Sequence, residues 1–119
     1  MYFFDTYALV ESFVGNRAYK RFFNYTFIVT HLNIAEFYSY LLRNTSKDDA
    51  TILLDKMEFN IVPLSLELFK QAAEFKLDNN KKELSWADCI GYMAAKQLKL
   101  KFLTGDKEFK GMANVEFAR

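Results

Sequence analysis

Four carboxylates stand beside short apolar runs in this 119-residue chain. Asp5 follows MYFF directly, Asp106 follows KFLT after one glycine, Asp88 lies three residues beyond Ser85, and Glu36 lies in the segment after TFIV. Their separations are 31, 52 and 18 residues. Carboxylates brought together by folding suit a hard divalent cation such as Mg²⁺ or Mn²⁺, which keeps several bound waters. Such a cation can orient a water, lower its pKa and stabilise charge on a leaving oxygen. Without one, two carboxylates ~4 Å apart repel by about 4 kcal/mol at an effective dielectric of 20. A real cluster therefore implies a cation. Other chemistries are poorly supplied: one Cys forbids an internal disulfide, and one Cys with one His cannot furnish the three or four N/S ligands of a zinc site.

The elements that must position these acids follow from the apolar pattern. MYFF (1–4) reads as a buried parallel strand. TFIV (26–29) is rich in β-formers, FNIV (59–62) ends at Pro63, KFLT (101–104) closes at Gly105, and NVEF (114–117) is a candidate last strand. A helix is expected from Thr6 to about Val14, punctuated by Gly15-Asn16, and a second short one through Phe23. From His31 to Arg43, Ile34, Phe37, Tyr38, Leu41 and Leu42 make a helical stripe. Ser46-Lys47-Asp48-Asp49 resembles a capping box, Ser65 caps a helix to about Leu77, and Ser85 opens one to about Lys99. DNNKKE (78–83), the most polar stretch, reads as an exposed loop. Strands alternating with helices imply one α/β domain over residues 1–119, an α/β/α sandwich with a mainly parallel sheet of four to five strands.

Composition agrees. Apolar residues at 51% and charged residues at 26% permit a real core, while 1 Pro and 4 Gly argue against many short, turn-linked strands. MYFFDTYALV lacks the basic and long apolar regions of a signal peptide, and no stretch approaches ~18 uninterrupted apolar residues. The expectation is a cytoplasmic protein without a membrane span.

In open α/β sheets, ligands bind beyond the carboxyl ends of the strands, where Asp5 and Asp106 fall. Each acid also has a structural reading. Asp5 can be a helix N-cap, Asp88 can complete a capping box with Ser85, and Asp106 can be a turn or cap residue. Glu36 lies roughly opposite the apolar stripe, as a solvated residue would. Spacing leaves both readings open for all four.

The ordered set narrows them. FFDTYALVE, LNIAEFY, LSWADCIGYMAA and FLTGDKEF resemble, in order and over essentially the whole chain, the motifs of PIN-domain ribonucleases. Within that family the likeness is to the toxins of VapBC-type toxin–antitoxin pairs. The resemblance implies a metal-dependent endoribonuclease with Asp5, Glu36, Asp88 and Asp106 as its acidic quartet. Asp5, Asp88 and Asp106 would be ligands of Mg²⁺ or Mn²⁺, with Thr6 and Thr104 as supporting hydroxyls. It also implies an RNA substrate, a small antitoxin partner and a homodimer. Tyr7 and Glu108 depart from the family pattern, which has a small polar residue and an Asp there.

Charge is compatible with RNA. The net charge is +1, and removing the four acids leaves +5, a basic remainder suited to phosphates. Lys96, Lys99, Lys101, Lys107 and Lys110 gather around the fourth strand, and Arg17, Lys20 and Arg21 follow the first helix. Cys89 reads as a packing residue, His31 as a helix-start residue, and Gly91 as a site of close helix–sheet contact. Trp86 reads as core, but Phe22, Phe23, Tyr25, Phe37, Tyr38 and Tyr40 exceed what one small core needs and imply a dimer or antitoxin interface. The competing functions are an RNA-processing nuclease of the same family without an antitoxin and, from another class, a receiver-like α/β binding module.

Overall fold

β1 (Tyr2–Phe4) is the central strand of a five-stranded sheet in the computed structural model, which describes residues 1–119. β2 (Phe27–Val29) and β3 (Phe59–Ile61) lie to one side of it, β4 (Lys101–Thr104) and β5 (Val115–Phe117) to the other. The order is β3-β2-β1-β4-β5, and every pairing is parallel. Parallel neighbours need crossovers, which helices supply. α1 (Thr6–Val14) and a 3-10 helix at Arg17–Phe22 join β1 to β2, and α2 (His31–Asn44) and α3 (Lys47–Lys56) join β2 to β3. α4 (Leu66–Asp78) and α5 (Trp86–Gln97) join β3 to β4.

Successive strand residues point to opposite faces of the sheet, so each apolar pair feeds both layers. Phe3, Ile28 and Phe102 pack with Leu68, Ala72 and Ile90 in one core. Phe4, Val29 and Leu103 pack with Leu9, Tyr19, Phe37 and Leu41 in the other. This two-sided burial is why the strands read as continuous apolar runs. The result is an α/β/α sandwich with an entirely parallel sheet. No helix is long and apolar enough to cross a membrane.

Local chemistry sets the element ends. α1 stops at Gly15, whose left-handed backbone (φ 79°) lets its N–H bond to the carbonyl of Glu11. Ser46, Ser65 and Ser85 cap their helices as expected, accepting from the N–H groups of Asp49, Leu68 and Asp88. α5 ends at Gln97, short of Lys99, because Lys99 adopts φ 58° to turn the chain into β4. Two aromatic expectations change. Phe22 and Phe37 are fully packed core residues, whereas Trp86, at the first position of α5, is 53% exposed.

α5 lies close on the sheet at Gly91. A Cβ there would stand 2.9 Å from Phe3 Cε1 and 3.3 Å from Phe102 Cε1, two stacked and fully buried rings. Gly105 is tighter still, since a Cβ would meet the carbonyl oxygen of Ala118 at 2.3 Å. That carbonyl also accepts the Tyr19 hydroxyl at 2.7 Å, so it is not free to retreat. Gly91→Ala should therefore lower the melting temperature: overpacking costs about 1–3 kcal/mol, against about 1 kcal/mol returned by helix propensity. Gly105→Ala should cost more than Gly91→Ala. Thermal melts of both variants check this, and unchanged melting would mean the backbone opens without cost.

Candidate active site

The strand order reverses direction at β1, and the crevice between the carboxyl ends of β1 and β4 is the switch point of the sheet. Asp5 sits there. Its N–H still bonds to the carbonyl of Leu103 at 3.0 Å, so the ladder carries it beside β4. It is 2% exposed, and both carboxylate oxygens are engaged: Oδ1 accepts from Thr6 N at 2.9 Å and Oδ2 from Thr104 Oγ1 at 2.7 Å. The Thr104 hydroxyl in turn accepts from Asp106 N at 3.1 Å, and Asp106 Oδ1 accepts from Glu108 N at 3.0 Å. One hydroxyl thus couples Asp5 to the segment bearing Asp106.

Glu36 is turned toward the same edge by α1. Thr6 Oγ1 donates to Glu36 Oε1 at 2.6 Å while accepting from Asn33 Nδ2 at 3.2 Å. Asn33 Oδ1 accepts from both Thr30 N and Thr30 Oγ1 at 3.0 Å. Asn33 and Thr30 are fully buried, and they are the supporting residues that sequence reasoning missed. A signal was present, since Thr30-x-x-Asn33 after a strand has the spacing of a capping box. Asp88 is held by its own box: Oδ2 accepts from Ser85 N at 2.8 Å, and Asp88 N donates to Ser85 Oγ at 3.0 Å. Asp5 and Asp106 likewise cap α1 and the 3-10 turn at Lys107–Phe109. The capping readings are therefore correct, and they coexist with proximity of the acids.

Electrostatics reveals that proximity. Burial, then the field of Asp88, and to a lesser degree that of Glu36 push the Asp5 carboxyl up to about 8, against the lowering hydrogen bonds of Thr104 and Thr6. Asp88 is raised mainly by burial, with Glu36 and Asp106 adding to it. Asp5 thus stands in the field of Asp88 and Glu36, and Asp88 in that of Glu36 and Asp106. In this arrangement no three of them reach a common ligating point. The donor set still fits a hard cation. Every candidate ligand is a carboxylate oxygen, and Glu36, Asp88 and Asp106 each give only one oxygen to the protein. A carboxyl that burial and like charge have pushed to about 8 is one that a nearby cation returns to its ionised form.

Two open clefts flank this edge. Thr6, Glu36, Ser39, Tyr40 and Arg43 line one, and Tyr7, Asp106, Lys107, Glu108 and Arg119 line the other. The lysines that gather along the sequence separate in space. Lys101 opens β4 and Lys99 precedes it, at the far end of the strand from Asp106, while Lys107 lies beside the acids. Lys96, in the last turn of α5, sits over the ring of Tyr92, and Arg21 pairs with Glu116 at 3.5 Å. Cys89 is buried, with its thiol pushed up to about 11 chiefly by that burial, as a packing residue should be. His31 is the exposed first residue of α2.

The PIN domain profile matches residues 2–115, and the chain belongs to that family. Membership sets aside the receiver-like alternative. No curated protein sequence matches it. Solved structures share its fold over nearly their full lengths. A toxin–antitoxin complex from Klebsiella pneumoniae aligns with TM-score 0.76 and 20% identity, covering 98% of this chain and 96% of that one. VapBC2 from Rickettsia felis, bound to a DNA fragment from its promoter, aligns with TM-score 0.76 and 17% identity, covering 99% and 98%. VapC20 of Mycobacterium tuberculosis, a toxin that cleaves the sarcin–ricin loop, aligns with TM-score 0.76 and 16% identity over 100% of both chains. At these identities the likeness is one of fold.

The raised Asp5 carboxyl has a consequence for stability. Its folded value of about 8 exceeds the ordinary 3.8, so the folded state binds the proton more tightly than the unfolded chain. Its contribution is complete below about 4 and is lost as pH rises through about 8. In metal-free buffer, Asp5→Asn should therefore gain melting temperature over the wild type progressively across that interval. The amide can still accept from Thr6 N and can donate to Thr104 Oγ1. A constant gap between pH 4 and 8 would contradict the assignment.

Proposed function

We propose that the chain is a metal-dependent endoribonuclease and the toxin of a type II toxin–antitoxin pair. The observation that carries this reading is Asp5, a buried carboxyl at the sheet's switch point facing the charges of Asp88 and Glu36. Asp5, Asp88 and Asp106 are the proposed ligands. A Mg²⁺ or Mn²⁺ held by them would supply charge neutralisation at the phosphodiester and a lowered pKa for water. The protein's own part is positioning. Thr104 and Thr6 N hold Asp5 in one orientation, Ser85 holds Asp88, and Thr6 aims Glu36. In this reading Glu36, which accepts from Thr6 through Oε1 and keeps Oε2 unbonded to protein, would orient the attacking water and accept its proton.

Support for the toxin assignment comes from the fold shared with toxin–antitoxin structures. A second support is the pair of exposed apolar side chains Phe13 and Phe23, which line a groove with Leu9, Phe27 and Met57. They suit a small antitoxin, and a homodimer would use the same kind of surface. RNA as substrate puts the site of action in the cytoplasm.

Asp5→Asn and Asp88→Asn should each abolish RNA cleavage while circular dichroism stays native. Amides keep the caps but lose the ligating charge. Wild-type cleavage rates in both variants would end the nuclease reading. Expression of the wild type alone should arrest growth and fragment cellular RNA, and Asp5→Asn should not. Equal growth with retained cleavage in vitro would leave an RNA-processing enzyme without an antitoxin. Saturating Mn²⁺, at about 100 times its Kd, should stabilise the wild type by about 2.7 kcal/mol. An unchanged melting temperature counts against the metal site.

A further inference from the structure

Beyond Glu36, α2 carries further polar and aromatic residues along the same face. Ser39 and Tyr40 lie one helical turn on and Arg43 two turns on, so all four share one side of the helix. They line one open cleft, together with Val10 and Ala35, that runs roughly 10 Å from Glu36 to Arg43 at the α-helical rise. Arg43 Nη1 donates to Ser39 Oγ at 2.7 Å, and no carboxylate pairs with its guanidinium. Most of its N–H donors therefore stay open to a ligand in the cleft. The ring of Tyr40 is held parallel to Phe37, at 6.5 Å and 10°, and edge-on to Phe13, at 6.3 Å and 80°. A fixed aromatic plane thus stands one turn from an unpaired guanidinium.

These groups answer the parts of a single-stranded nucleotide. An unpaired guanidinium recognises a phosphate, with the serine hydroxyl setting its direction. An oriented ring offers a surface on which any base can stack. A carboxylate from a protein partner would engage Arg43 and leave Tyr40 unexplained. We infer that this cleft is a nucleotide subsite for the RNA strand next to the reacting phosphodiester. Arg43, aimed by Ser39, takes a flanking phosphate and Tyr40 stacks the adjoining base. The substrate class rests on the ribonuclease reading above, but the subsite is a claim about binding and is tested as binding.

The test is the affinity of a labelled single-stranded oligoribonucleotide, about ten nucleotides long, for the full chain carrying Asp5→Asn, which keeps the probe intact. Adding Arg43→Gln should weaken binding about tenfold and reduce the salt slope by about 0.7, one phosphate fewer on a single strand. Arg43 is exposed, so this change does not threaten the fold. Tyr40→Leu should weaken binding by about 5- to 100-fold, whereas Tyr40→Phe, which keeps the ring, should not. Lys101→Ala, a charge loss at the opposite end of β4, should change neither affinity nor slope. Affinity and slope unchanged by Arg43→Gln overturn the subsite even if the wild type cuts RNA. Loss on Arg43→Gln supports it even if the wild type cuts nothing, and then only the nuclease reading falls. Failure of the Asp5→Asn chain to bind the probe overturns the subsite, while wild-type cleavage judges the nuclease reading separately.

Discussion

Folding takes the carboxyl of Asp5 out of water and sets it in the field of two further carboxylates. That is a costly thing to bury, and the surrounding structure can be understood as holding it in place. The β1–β4 pairing sets its backbone, Thr6 N and Thr104 Oγ1 occupy its oxygens, and the Thr104 hydroxyl passes the constraint on to Asp106. The close packing beneath follows the same demand. Gly91 lets α5 settle against the stacked rings of Phe3 and Phe102, which brings the start of that helix, and Asp88 with it, to the carboxyl edge of the sheet.

Helix capping and site assembly are one set of bonds here. Asp5 and Asp106 are N-caps, and Asp88 is the return half of a capping box. The amino end of a helix carries partial positive charge, which favours an acid there and offsets part of the repulsion among neighbouring carboxylates. A cap bond also fixes a side chain's rotamer. For Asp88 and Asp106 it uses one oxygen, and the other is left for a ligand. Glu36 has no such cap and is oriented across helices instead, by a hydroxyl that Asn33 and Thr30 hold in position.

The surface divides according to the sheet's polarity. Lys107 and Arg119 line a cleft at the carboxyl edge and Arg43 lies two turns along α2 from Glu36, whereas Lys99 and Lys101 lie at the other end of β4. Positive charge relevant to a polyanion is therefore carried by few residues, and the nearly neutral total conceals its placement. The exposed aromatics beside α1 form a separate region, with Phe13 the one that also orients the Tyr40 ring.

Local elements were legible in the sequence because their signals act within a few residues. The apolar runs at 1–4 and 101–104, the serine caps, and Gly15 after α1 all mark boundaries that hold to within a residue or two. The PIN likeness, the α/β/α architecture and the candidate acids were legible too, the acids through their ordered motifs. What spacing left open was convergence. The bond from Thr104 to Asp5 joins residues 99 apart, and the one from Thr6 to Glu36 joins residues 30 apart. Glu36 lies off the apolar stripe of α2, so periodicity placed it in solvent until α1 packed beside it. Trp86 looked like core because an aromatic beside a buried helix usually is, yet its place in the first turn faces it outward. Period, capping and turn chemistry are properties of neighbouring residues, so the elements and the residues that end them can be read along the chain. Which carboxylates share a field, and which lysines stand beside them, depends on strand order and on packing across the sheet, contacts between residues far apart in the chain that exist only once it has folded.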